Sequence, residues 1–166
     1  VAPLTTIGLS WLEELEKENI WPCLIRDMNE TEISEILSSE IKSPVWFITN
    51  YETLRTRPIL GRYKWDCVVL DESTRIKNPK ANITQLVIKE FENTPMKAIL
   101  TGMPAPESSL DYFCQMAFLN GDFMGADNYW KFRAKWYKQD YSGFGWVARK
   151  EAERRILSAV RESAFV

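Results

Sequence analysis

The chain has 166 residues, 45% of them hydrophobic, so it is long enough to bury a core of its own. It contains no histidine, which excludes Ser-His-Asp and Cys-His nucleophilic systems and every His-ligated metal site. The formal net charge of −2 conceals an asymmetry, with five basic and ten acidic side chains in residues 1–60 but nine basic and four acidic in residues 128–166, so an anionic partner is confined to part of the surface rather than excluded.

In chain order, residues 7–19 carry the periodicity of an amphipathic helix, with Trp11, Leu12 and Leu15 on one face. Residues 20–25 predict a short strand. Asn29 and Glu32 open a second helix, with Ile33, Ile36, Leu37 and Ile41 at helical spacing and Pro44 as its stop. Strands are predicted at 45–49 and 66–70, separated by a turn region rich in Arg, Pro and Gly at 55–63. Asn78 reads as the N-cap and Pro79 as the first turn of a helix reaching residue 92. A strand at 96–100 follows, then helices at 108–119 and 127–138, a Gly-rich stretch at 141–146 and a last helix from residue 150. Continuous apolar strands separated by helices predict an α/β fold, a parallel sheet with helices on both faces. Residues 1–125 form its α/β layer and residues 126–166 a helical C-terminal extension.

Cys23, Cys67 and Cys114 include no Cys-x-x-Cys pair, so neither a zinc knuckle nor a disulfide framework is expected, and reduced thiols are. No apolar run approaches the roughly 18–20 residues of a membrane span, and no signal-peptide pattern is present. The expectation is a soluble intracellular domain without a membrane partner, and the lack of an initial Met points to a processed chain or an excised piece.

The chemistry concentrates in two segments. Cys67, Val68, Val69 and Leu70 lead into Asp71 and Glu72, so a buried strand delivers adjacent carboxylates at its C-terminal end, where open parallel sheets bind ligands. In phosphoryl-transfer enzymes an aspartate so placed holds Mg²⁺ and a neighbouring glutamate orients or deprotonates the attacking water. The plain alternative is an acidic pair starting a solvated loop. About thirty residues on, Ile99 and Leu100 lead into Thr101, Gly102, Met103 and Pro104, which is either a tight turn or a hydroxyl and a close backbone approach serving a ligand. Lys131, Lys135 and Lys138 lie beside Trp130, Phe132, Trp136 and Tyr137. This pattern suits phosphate contact with base stacking, but the favoured reading is a helix packing its aromatics and solvating its lysines.

These segments, with their surroundings, resemble the first RecA-like lobe of superfamily two helicases, in particular the Swi/Snf-type DNA-dependent ATPases. Val1, Ala2, Pro3 and Leu4, followed by Trp11 and Leu15, resemble motif Ia and its helix. Phe47 through Glu52 resemble motif Ib, and Val69 through Asn78 resemble motif II with an Arg-Ile-Lys-Asn extension. Leu100 through Ala105, then Leu110, Asp111, Tyr112 and Phe113, resemble motif III and the helix after it. Residues 129–133 and the helix from Lys150 resemble the segments leading to a second lobe.

The resemblance implies ATP and Mg²⁺ as cofactors, with Asp71 holding the metal through water and Glu72 polarising the attacking water. It implies coupling by Thr74, Lys77, Thr101, Gly102 and Pro104. It places Pro3, Leu4, Thr5, Thr49, Asn50 and Tyr51 along the path of double-stranded DNA. Two departures stand out. Ser73 and Thr74 occupy positions usually held by Ala or Gly and then His. No Gly-x-x-x-x-Gly-Lys-Ser/Thr loop occurs. The expected object is therefore a P-loop NTPase lobe lacking its phosphate-loop strand, inactive alone, whose partners are DNA and a second RecA-like lobe. The unpaired strand edge would be covered by another segment or chain, self-association included. The closeness of the motifs suggests a phage or bacterial source and a cytoplasmic setting. The alternative is a non-catalytic nucleic-acid or protein-binding module on a degenerate RecA-like fold.

Overall fold

The structure is a computed structural model and describes residues 1–39, 45–105 and 107–163, the side chain of Leu9 excepted. Ile41 and Pro44, read above as the end of the second helix, lie outside the described residues. The chain divides into two compact units that interleave in sequence: the first comprises 1–72 and 93–100, the second 73–92 and 101–166.

The first unit holds the parallel strands. Its helices are α1 (Leu4–Thr6), a π-helical turn (Ile7–Trp11) and α2 (Leu12–Lys17), followed by strand β1 (Cys23–Leu24), α3 (Glu30–Ser38), β2 (Phe47–Ile48), α4 (Tyr51–Thr56), α5 (Pro58–Arg62) and β3 (Cys67–Asp71). The helix expected at 7–19 thus begins earlier and carries a π turn. Asn29 closes a capping box with Glu32, accepting from the Thr31 and Glu32 amides while Glu32 accepts from the Asn29 amide, as its sequence promised.

Strand β1 pairs in parallel with β2. Strand β3 pairs in parallel with β4 (Met96–Leu100) in the register Cys67↔Met96 to Asp71↔Leu100. Val1 and Ala2 bridge the two ladders. Val1 donates to the Val69 carbonyl at 2.7 Å and accepts from the Asp71 amide at 2.8 Å, while the Ala2 amide donates to the Thr49 carbonyl at 2.9 Å. Beneath this bridge Ala2, Ile7, Leu15 and Ile48 form a buried cluster. Among the described residues, β4 is paired on the β3 side only.

The second unit begins with a 3-10 turn (Ser73–Ile76) and α6 (Asn82–Glu90). Asn78 does not cap that helix. Its carboxamide accepts from the Lys80 amide in an Asx turn, the Ala81 amide closes a turn on the Asn78 carbonyl at 3.1 Å, and Ala81 is the actual N-cap. A 3-10 turn (Ser109–Asp111) leads into α7 (Tyr112–Asn120), where every residue from 113 to 118 is buried. Gly121, at φ +77, ends it as a left-handed residue. α8 (Tyr129–Trp136), β5 (Tyr137–Gln139), β6 (Trp146–Ala148) and α9 (Ala152–Glu162) complete the unit.

The extension is therefore not purely helical: residues 137–148 form an antiparallel hairpin with the register Tyr137↔Ala148. The core of this unit gathers Phe113, Met116, Phe123, Phe132, Tyr137 and Ile156. Phe132 and Tyr137 are buried while Lys131, Lys135 and Lys138 are exposed, in keeping with the packing reading of that helix. The Arg133 guanidinium lies 3.8 Å from the Trp146 ring centre and 4.8 Å from that of Trp130.

Candidate functional site

In the first unit, β3 emerges with Asp71 half-buried and Glu72 exposed. The Asp71 carboxylate is held at both oxygens. Oδ2 accepts from the Trp11 indole N–H at 2.8 Å, and Oδ1 accepts from the Glu72 amide at 3.0 Å. The Tyr51 hydroxyl donates to the Asp71 carbonyl at 2.8 Å. Val1, Trp11 and Tyr51, far apart in sequence, therefore converge on Asp71, Trp11 at its carboxylate and the other two at its backbone. Glu72 has φ +49, in the left-handed region that a non-glycine residue enters at a cost.

Pro3 is buried, while Leu4 and Thr5 are exposed. Thr49, Asn50 and Tyr51 are all buried. Asn50 caps α4 by accepting from the Thr53 amide at 2.6 Å, and the buried Thr49 hydroxyl has no hydrogen-bond partner among the described residues. Of the six residues assigned to a DNA path, Leu4 and Thr5 are thus the accessible ones, and the others hold the local fold around Asp71. A cavity of about 770 Å³ continues the gap between β2 and β3 below Val1, lined by Trp46, Phe47, Trp65 and Cys67 among others. Asp71 and Glu72 do not line it, although Trp11, whose indole holds the Asp71 carboxylate, does.

In the second unit, Thr101 is half-buried and its hydroxyl accepts from the Met103 amide at 3.3 Å. Gly102 is exposed, and a Cβ there would meet nothing within 4 Å. No packing contact therefore demands glycine at this position. Thr74 is half-buried. Lys77 is paired with Glu107 and lies 3.9 Å from Asp111. The Glu107 hydrogen bond, with the Asp111 charge in support, raises its pKa above the ordinary lysine value. Gln115, fully buried on α7, donates to the Pro104 and Asp111 carbonyls and accepts from the Ser73 hydroxyl. The sequence reading did not single out Gln115, although a lone carboxamide within an otherwise apolar helical run is a visible signal.

The carboxylate fits a water-mediated Mg²⁺, a hard cation that keeps several waters and takes one or two carboxylates plus substrate phosphates. No group of three or more acidic or thiol ligands suitable for a metal occurs among the described residues, so among them Asp71 is the residue that would hold the ion through water. For the phosphates the chain offers no Gly-rich loop with Lys and Ser/Thr. Among the described residues no helix is long and apolar enough to cross a membrane.

The family described as the SNF2-related domain matches residues 1–162. The SWI/SNF chromatin-remodeling complex subunit snf22 of Schizosaccharomyces pombe is 26% identical over 72% of this chain and 7% of its own length. The SWI/SNF-related matrix-associated actin-dependent regulator of chromatin subfamily A-like protein 1 of Drosophila melanogaster is 28% identical over 68% of this chain and 15% of its own length. Human DNA excision repair protein ERCC-6 is 43% identical over 34% of this chain and 4% of its own length. The chain thus spans a small part of each of these relatives. Among solved structures, the Sulfolobus solfataricus SWI2/SNF2 ATPase core in complex with dsDNA superposes with a TM-score of 0.73 at 23% identity, over 97% of this chain and 31% of that one. That likeness gives the fold, an α/β lobe of the RecA-like kind. The three relatives are eukaryotic, so a phage or bacterial source, expected from the compact motif spacing, is not supported.

Proposed function

The chain belongs to the SNF2-related domain family, and on that premise we propose that it is first-lobe sequence of an ATP-dependent, DNA-stimulated translocase acting on double-stranded DNA. The observation that carries the reading is Asp71, a carboxylate at the end of a parallel strand, oriented at one oxygen by Trp11 and at the other by the Glu72 amide. A carboxylate fixed in this way keeps lone pairs for metal-bound water without searching rotamers.

Bound Mg²⁺ would supply neutralisation of charge on the nucleotide phosphates. The protein's own share is divided among its residues. Asp71 holds the ion's water shell, and exposed Glu72 accepts a proton from, or orients, an attacking water. Leu4 and Thr5 meet the DNA backbone, a contact that positions the duplex without reading bases. Thr49, Asn50 and Tyr51 shape that path from beneath, and Thr74, Lys77, Thr101, Gly102 and Pro104 couple the nucleotide to the DNA. Residues 1–125 form the lobe and residues 126–166 its extension towards a second RecA-like lobe. Without a phosphate loop and that second lobe the chain alone is inactive. The open side of β4 accepts a further strand or, failing one, another copy.

The test is Glu72→Gln in a full-length protein that carries this chain, read by ATP hydrolysis in the presence of duplex DNA. Loss of turnover is expected, and unchanged turnover would sink the assignment. The second reading is a non-catalytic nucleic-acid or protein-binding module on a degenerate RecA-like fold. DNA binding by the full-length protein without any ATP binding would select it.

A further inference from the structure

Within the second unit one buried polar chain stands apart from its surroundings. Ser73 and Gln115 are both 0% exposed. The Ser73 hydroxyl donates to Gln115 Oε1 at 2.6 Å, and Gln115 Nε2 donates to the Pro104 carbonyl at 2.5 Å and to the Asp111 carbonyl at 2.9 Å. Both amide hydrogens are thereby used, and the amide oxygen accepts one bond. A carboxamide is a costly occupant of such a place, since its desolvation is only offset when its bonds are made. An apolar side chain of similar size would fill the position without that cost. Ser73, moreover, stands where the resemblance to motif II leads one to look for Ala or Gly, so this chain supplies the hydroxyl that Gln115 requires.

The two ends of this polar chain are significant for their place in the sequence. Ser73 directly follows the Asp71–Glu72 pair, and Pro104 closes the turn that begins at Thr101 after β4. We propose that Gln115 is a positioning residue that, with Ser73, ties the segment following Glu72 to the turn carrying Thr101 and Gly102. A shift of the first with nucleotide state is then delivered to the second. The side chain touches neither nucleotide nor DNA; it acts through the Pro104 carbonyl. This role rests on the reading of Asp71 and Glu72 as the nucleotide end of the site.

The experiment uses Ser73→Ala, Gln115→Leu and the double variant in a full-length protein that carries this chain, measuring ATP hydrolysis with and without duplex DNA. Ser73→Ala leaves both donations by Gln115 in place, so the fold is kept. Each variant should keep its DNA-free rate and its KM for ATP within about twofold while DNA-stimulated kcat falls about fivefold or more, the low end of coupling between two sites. The double variant should be no worse than Gln115→Leu, because both changes break one link. Equal falls with and without DNA, independent multiplication in the double variant, or no fall at all would overturn the proposal.

A parent protein lacking DNA-stimulated hydrolysis, or a Glu72→Gln variant that retains it, would instead defeat the nucleotide reading. The link itself is then decided in the full-length protein by amide hydrogen exchange. Ser73→Ala should speed exchange about tenfold at the hydrogen-bonded amides of Lys77 and Asp111, which flank the link on its two sides, and unchanged exchange would overturn it.

Discussion

The indole N–H of Trp11 donates to the Asp71 carboxylate at 2.8 Å across sixty residues of sequence. Helical periodicity alone assigns Trp11 to an apolar face, yet its polar edge holds the orientation of the acidic group. Hydrogen bonds to charged groups contribute about 1.5–3 kcal/mol. Trp11→Phe keeps an aromatic ring, though a smaller one, and removes the donor, so the chain should lose at least about that much stability in denaturant unfolding. A variant as stable as the parent would mean that water replaces the indole at no cost.

Glu72 has a left-handed backbone, with φ +49. Only glycine occupies that region freely, and other residues carry a cost of roughly 1–2 kcal/mol. Glu72→Gly should therefore raise the denaturant midpoint, with a gain in unfolding free energy of about 0.5–1 kcal/mol once the extra flexibility of glycine in the unfolded chain is counted, and abolish hydrolysis in the full-length protein. Stability and activity moving in opposite directions at one residue is the signature of strain held at a working site. A lower midpoint would show that the carboxylate makes compensating contacts.

The hydroxyl of Thr49 is buried and unpartnered among the described residues. Thr49→Val preserves the shape and removes the unpaired group, so stability should rise by about 1 kcal/mol, the lower bound for a stranded polar atom. DNA affinity of the full-length protein should not change, because the side chain supports the path from beneath. A fall in affinity at unchanged stability would return the hydroxyl to the phosphate contacts.

The thiols should separate by burial. Cys67 is exposed, Cys23 is half-buried and Cys114 is buried. Burial, with the Asp111 charge adding to it, pushes the Cys114 thiol up to about 12. Since the thiolate is the nucleophile, Cys114 should stay inert to an aromatic disulfide reagent up to about pH 9 and react only on unfolding. Cys67 should be modified first and Cys23 more slowly, as its own pKa is raised by burial. Early modification of Cys114, read by peptide mass mapping, would indicate opening around α7.

Much of the first unit is legible in sequence because its signals are local. Continuous apolar runs gave β3 and β4 nearly to the residue, and Asn29 with Glu32 announced a helix start. The hairpin at 137–148 was hidden, since the lysine spacing of α8 continues smoothly past Trp136. Only pairing with residues eleven positions on converts Tyr137 to strand. The polar roles of Gln115 and Trp11 are hidden for a related reason. Periodicity reports which face a side chain occupies, whereas their importance lies in one polar atom and a partner dozens of residues away. The sequence suggests a close backbone approach at Gly102, but the open space around it among the described residues gives no packing reason for glycine.

The interleaving of the two units bears on how the polypeptide is made. Strand β4 is encoded after α6, so a ribosome that has released residues 1–90 has delivered β3 without the neighbour that flanks it in the finished sheet. The first unit must wait for residues 93–100 while part of the second is already available. Contacts between distant stretches close late and slowly. For the same reason a proteolytic cut near residue 92 would not free one half from the other; it would take the last strand from the sheet.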